Sequence, residues 1–336
     1  MSNTRDTKID NLRVIGILLV ILAHSGSGKL INDFRSFDVI LLVFLSAICV
    51  TKEGYSSYLE FKSVALKRIR RIILPTYLFV VAFGILSFIA YRVAGKPELF
   101  GLRQIVNSFL LCEDSVGYIW IMKVYFINAL ITPMLLRVLS KIKNWQYSVL
   151  IAVEILTYAI IRTLYIAFLD GNYVAWIVID QWIICCLAYL FVAQEAIWYK
   201  NARNVRNYVP VIWLLVFLVT CLISETGFSP AAGKRPPNLQ YIAYGLAMSG
   251  LLYRYIPQKT NAFFEWISKN SLTIYLVHPI FILLFNTIKN IRFLSAFSIT
   301  PIKYIVTVCG SILIVFLYQH ISCYKGKEGK TCRKHH

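Results

Sequence analysis

Charge is scarce in this chain: 15% of its 336 residues are Asp, Glu, Lys or Arg, against about 25% in soluble domains. Hydrophobic residues make up 58%, and mean hydropathy is +0.64. A soluble fold could not hide so much apolar surface, so the soluble classes are excluded and a polytopic membrane protein is expected. Acidic residues are scarcer still, 16 against 35 basic, leaving a formal charge of +19. That excess does not point to nucleic acid. The lysines and arginines gather in short loops between apolar runs, where they set topology and meet an anionic bilayer surface.

Other absences narrow the field. The eight cysteines contain no CxxC pair, and Cys49, Cys185, Cys186, Cys221 and Cys309 fall in apolar segments, so neither a disulfide framework nor a zinc site is expected. Residues 9–26 carry a histidine and lack an A-x-A-like cleavage site, so this first apolar run is expected to be retained. GSGK at 26–29 is not a phosphate loop, because Ala23 and Leu30 stand where that motif needs Gly and Ser or Thr. No internal repeat, low-complexity linker or separate soluble domain is visible, so residues 1–336 are expected to form one membrane domain.

What is present is a series of apolar runs long enough to span. They predict an all-α fold with about ten spans near 10–26, 38–51, 72–93, 119–139, 147–168, 173–195, 208–224, 238–256, 263–288 and 301–322. With both termini in the cytoplasm, basic residues favour the inside segments by roughly two to one, which supports that orientation.

Polar groups inside such runs are costly and usually functional. In IDNLRVIGILLVILAHSGSGK, residues 9–29, Arg13 and His24 are eleven apart and share a helix face about 16 Å apart along the axis; Asp10 lies one turn from Arg13. His24 is either a packed polar residue or a functional one. In KRIRRIILPTYLF, Lys67, Arg68, Arg70 and Arg71 precede Pro75, placed in the first turn of the next span. They are an orientation anchor or a phosphate site.

In GYIWIMKVYFINALITP, Tyr118 and Trp120 resemble an interfacial aromatic belt, and Lys123 lies one turn further in, where it could snorkel. In WISKNSLTIYLVHPIF, Ser271, Tyr275 and His278 share a face, and Pro279 loosens backbone pairing nearby. Glu154, Arg162, Asp180 and Gln181 are interhelical glue or substrate contacts. Glu154 and Arg162 are eight apart on one face, able to line one cavity. The outer loop 227–246, with Lys234, Arg235 and three prolines, covers an outward site or simply connects two spans. The basic tail, including His335 and His336, needs no special role.

Together these segments resemble acyltransferase family 3 of integral membrane proteins, in particular its fucose 4-O-acetylase-like branch. IDNLRVIGILLVILAH is similar to the family's first helix through Asp10, Arg13 and His24. FDVILLVFLSA is similar to its second segment, with Ala47 in place of the usual glycine. KRIRRIILPTY matches the R-x-x-R element through Arg68, Arg71 and Pro75. GYIWIMKVYF, KRPPNLQYIAYGL and NSLTIYLVHP resemble the later motifs, with Lys123 where a basic residue is common and His278 in the last.

The resemblance implies acyl transfer, usually acetyl, from acetyl-CoA to a hydroxyl of a carbohydrate such as an O-antigen or capsule sugar. The acceptor is expected to be lipid-linked and the protein to sit in a bacterial inner membrane. Arg13, Arg68 and Arg71, with Asp10, would hold the donor. His24 would act as general base or transient acyl carrier, with Lys123 or His278 polarising the thioester. Trp120, Glu154, Asp180, Tyr275 and Lys234 are expected at the acceptor. No metal is required, and an oligomer is compatible with the sequence. The competing class is a transporter or flippase of a lipid-linked sugar, although such folds often carry internal repeats.

Overall fold

The computed structural model of the chain describes residues 6–93, 95, 100–201, 207–225, 227–288 and 300–331, the side chains of 288 and 322–331 excepted. His335 and His336 lie outside these residues. The fold is all-helical, and no strand occurs among the described residues.

The chain opens with α1 (Thr7–His24), α2 (Lys29–Arg35) and α3 (Asp38–Ile48). Asp6 starts α1 by accepting from the Lys8 amide at 3.0 Å, a cap for one of the helix's free N–H groups. Gly26, with φ of 87°, turns the chain after it. The basic run sits in α4 (Tyr58–Arg68), a π-helical turn (Ile69–Ile73) and α5 (Leu74–Val93), followed by α6 (Leu102–Phe109). Next come α7 (Ile121–Leu139), α8 (Asn144–Phe168) and α9 (Tyr173–Ala175), which passes through a π-helical stretch, Trp176–Ile184, into α10 (Cys185–Asn201). The chain finishes with α11 (Val209–Ile223), α12 (Leu239–Tyr255), α13 (Ala262–Ile288) and α14 (Thr300–Thr331).

Six of these stretches are long and apolar enough to cross a membrane: Tyr58–Val93, Val116–Leu139, Asn144–Phe168, Tyr173–Asn201, Ala262–Thr287 and Thr300–Ile321. The chain is a multi-pass membrane protein. The other four expected spans are helices that are shorter or more polar. The clearest departure is 38–51, helical over only 11 residues, about half the length needed to cross. Its surroundings explain this: α3 is buried on nearly every side, packed against α1, α10 and α12. Irregular backbone at membrane depth is tolerated where protein surrounds it. The segment after α3 is held this way, with the Gly54 amide donating to the Pro133 carbonyl at 2.7 Å and the Tyr55 hydroxyl to the Leu130 carbonyl at 2.8 Å.

Close approach to α3 depends on glycine on both sides. A Cβ on Gly16 of α1 would meet Leu42 at 2.7 Å, and one on Gly245 of α12 would meet Ile40 at 2.2 Å. Small residues draw membrane helices together in the absence of a hydrophobic driving force.

The start of the expected span 72–93 is also different, because α4 runs without a break into it. Pro75 explains the π turn between them. Its ring would strike the Arg71 carbonyl in a regular α-helix, and the wider π turn, with the Leu74 amide bonded to the Ile69 carbonyl, opens that space. On the far side of the bundle, buried Glu195 of α10 accepts from Tyr147 at 2.5 Å and Trp213 at 3.0 Å. That carboxylate ties α8 and α11 to the core. Most of α8 is otherwise exposed, with only Tyr147 and Tyr165 buried.

Candidate active site

His24, the last residue of α1, is where the sequence-based residues converge. Its ring stacks on Tyr118 with centroids 3.8 Å apart and lies 5.3 Å from the ring of His278. Tyr118 reaches it through an unusual turn. Gly117 and Tyr118 have φ of 76° and 59°, and a Cβ on Gly117 would lie 2.6 Å from the Phe79 ring. A non-glycine residue in this region costs about 1–3 kcal/mol, and such strain clusters at functional sites. Tyr275 holds the turn by donating to the Tyr118 carbonyl at 2.5 Å. The expected aromatic belt is therefore turned inward: Tyr118 stacks on His24, and Trp120 is 5% exposed.

His278 owes its orientation to the residue after it. Pro279 has no N–H to give the Tyr275 carbonyl four residues back. Nδ1 of His278 bonds to that carbonyl instead. A carbonyl only accepts, so Nδ1 carries the proton and Nε2 is an acceptor; it is buried without a hydrogen-bond partner among the described residues.

The opposite wall is charged. Arg35 pairs with Asp38 at 2.5 Å, and Lys234 reaches the other oxygen of that carboxylate at 3.2 Å. Arg235 pairs with Glu113 at 3.3 Å and lies over the Trp120 ring at 5.8 Å. Arg35, Lys234 and Arg235 all act electrostatically on His24. Burial lowers the Lys234 pKa, Asp38 partly offsets this, and burial raises the Glu113 carboxyl against the pull of Arg235. The cavity lined by His24, Asp38, Trp120, Tyr125, Lys234, Arg235 and Tyr275 has a volume of about 20 Å³, room for roughly one water.

His24, Trp120, Tyr275 and Lys234 thus line one cavity, with His278 beside it. Asp10 and Arg13 lie further down α1, where Asp10 accepts from Ser268 at 2.6 Å and Arg13 donates to Cys49 Sγ at 3.3 Å. Arg13 and Asp38 both act on the Tyr125 hydroxyl, so the arginine is in electrostatic reach of the cavity lining. Arg68 acts on Tyr55, outside the cavity; Arg71 is exposed and forms no ion pair among the described residues.

Three expected site residues lie elsewhere. Lys123 does not snorkel: it is 0% exposed, donates to Gln181 at 3.3 Å and faces the Trp182 ring. Asp180 accepts from Gln181 at 2.9 Å within the π-helical stretch. Glu154 accepts from Gln194 at 2.6 Å and lines a separate groove with Arg162.

Arg35 and Asp38 were missed from the sequence, although a carboxylate opening the otherwise apolar DVILLVFLSAI was a usable signal. Tyr118 offered none as a histidine partner, because its placement depends on the left-handed turn.

Comparison with curated proteins and with solved structures finds no match. The family model described as an acyltransferase domain, that of acyltransferase family 3, matches residues 6–318, which span every element of the cavity. The chain belongs to that family and is a membrane acyltransferase.

Proposed function

We propose that the protein is an O-acetyltransferase of the fucose 4-O-acetylase-like branch. It moves acetyl from acetyl-CoA to a hydroxyl of a surface-glycan sugar at a bacterial inner membrane. The observation that carries this reading is the place of His24, a half-buried imidazole between an aromatic wall and the Lys234–Arg235 cations. The bias of lysine and arginine toward the inside segments supports an orientation with both termini in the cytoplasm. A count of ten spans adds α1, the short α3 inside the bundle, α11 and α12 to the six long segments.

His24 accepts the proton of the sugar hydroxyl as its oxygen attacks the thioester carbonyl. The charge gathering on the carbonyl oxygen is met by Lys234 and Arg235, which share the cavity with His24. Neutral His278 is less suited to that task, because its Nε2 accepts rather than donates. The carbon–sulfur bond then breaks, and protonated His24 returns its proton to the departing thiolate. Transient acetylation of His24 is the alternative form of the same step.

Arg13, Arg68 and Arg71 suit the donor's phosphates. Arg71 is exposed and unpaired among the described residues. The rise from Arg13 to His24, about 16 Å, suits the length of the pantetheine arm.

The test is transfer of labelled acetyl from acetyl-CoA to surface glycan in membranes containing the protein or its His24→Ala variant. Label that depends on the intact histidine supports the reading. Equal label in both overturns the role of His24, and an inserted protein giving no label with any glycan favours the transporter class.

A further inference from the structure

A second cavity lies apart from the one at His24. It is a groove of about 470 Å³ between the loosely packed α8 and the faces of α10 and α12, within the roughly 300–1,000 Å³ of small-molecule sites. Its walls are mainly aliphatic and aromatic, including Leu135, Val153, Ile166, Phe191 and Ile242. Arg162 stands among them. Its Nε is buried without a hydrogen-bond partner, and the guanidinium forms no ion pair among the described residues. Asp180 is within electrostatic reach of Arg162 but makes no ion pair with it.

A half-buried arginine with an unpartnered Nε in an otherwise apolar wall is a favourable place for an anion. Glu154 does not take that place. It lies eight residues away, about 12 Å along the helix, and is occupied by Gln194. An arginine with no ion pair among the described residues, set in an apolar groove, matches a ligand with an anionic head and a hydrocarbon chain.

The groove shares a wall with the candidate active site. Tyr158 of α8 donates to the Pro237 carbonyl, and Asn238 lines the groove. Lys234 and Arg235, at the other end of the same short loop, line the His24 cavity. One short loop, 234–238, thus contributes residues to both cavities.

We propose that the groove binds a polyprenyl phosphate-type lipid, its chain along α8 and its phosphate at Arg162, and that this lipid carries the sugar acceptor. The binding stands on the groove alone; the role as acceptor carrier rests on the function proposed above.

The experiment is native mass spectrometry of the full chain in detergent with undecaprenyl phosphate, comparing wild type, Arg162→Gln and Ala159→Trp, which fills the groove. Inorganic phosphate, uncharged undecaprenol and phosphatidylglycerol serve as separate probes. We expect undecaprenyl phosphate to bind wild type at least tenfold more tightly than either variant, and more tightly than each other probe binds wild type. Arg162→Lys retaining most of the binding would separate charge from misfolding. Equal binding by wild type and both variants overturns the site. Tight binding of phosphate alone overturns the role of the chain, and equal binding of phosphatidylglycerol makes the site one for general membrane lipid. Acetyl transfer measured on the same preparations separates the two readings: wild type that binds the lipid but transfers no acetyl overturns the function, and variants that lose the lipid but keep full transfer overturn its role as acceptor carrier.

Discussion

Pro279 decides which nitrogen of His278 carries the proton. By withholding an N–H from the Tyr275 carbonyl it leaves that oxygen to Nδ1 of His278, so Nε2 keeps the lone pair on a ring 5.3 Å from that of His24. A residue with no functional group of its own thereby sets the polarity of the site.

Pro279→Ala restores the helical N–H to the Tyr275 carbonyl, in competition with His278. Alanine is the better helix former by about 3 kcal/mol, so melting of the purified protein should not fall. Acetyl transfer should drop, by up to about 100-fold if the histidine is misplaced. Unchanged transfer would show that the His278 orientation is immaterial.

Asp38 holds two cations, so Asp38→Asn leaves Arg35 and Lys234 buried without their counter-charge. Breaking a buried pair from one side costs about 3–5 kcal/mol, visible as a lower melting temperature. Lys234→Met with Asp38→Asn should recover part of that loss. If the single Asp38→Asn variant melts like wild type, the ion pairs contribute little to stability.

Burial lowers the Lys234 pKa below the ordinary lysine value of 10.5. As pH rises through that lowered value the folded protein loses the ammonium while the unfolded chain keeps it up to 10.5. Folding stability therefore rises with pH across this window, whereas transfer that depends on the ammonium falls. The alkaline limb of the rate profile should lie below pH 10.5, and Lys234→Arg should move it upward. A limb that stays in place in Lys234→Arg would assign it to another group.

Gly245 marks where α12 meets α3. Gly245→Leu should lower stability by about 1–3 kcal/mol through overpacking, measured as a fall in melting temperature. Gly84, whose added Cβ meets nothing within 4 Å, supplies the control; Gly84→Leu should be close to neutral. Equal effects at both positions would mean that the approach of α12 to α3 is not what requires glycine.

Composition and the spacing of apolar runs determined the class of this protein, because twenty-residue apolar segments have few other uses in water. They also determined the first helix, since the eleven-residue spacing of Arg13 and His24 places both on one face whatever surrounds them. The eight-residue spacing of Glu154 and Arg162 was legible for the same reason. Helix periodicity carries no information about neighbours, however. Only the packed structure put Asp38 and Lys234, nearly two hundred residues apart, at one carboxylate beside His24, turned Tyr118 onto that ring, and sent Lys123 towards Gln181. It also shortened the second span, because a helix enclosed by α1, α10 and α12 has no bilayer to cross by itself. Local sequence determines which face a residue occupies; which other residues it meets there is decided by the fold.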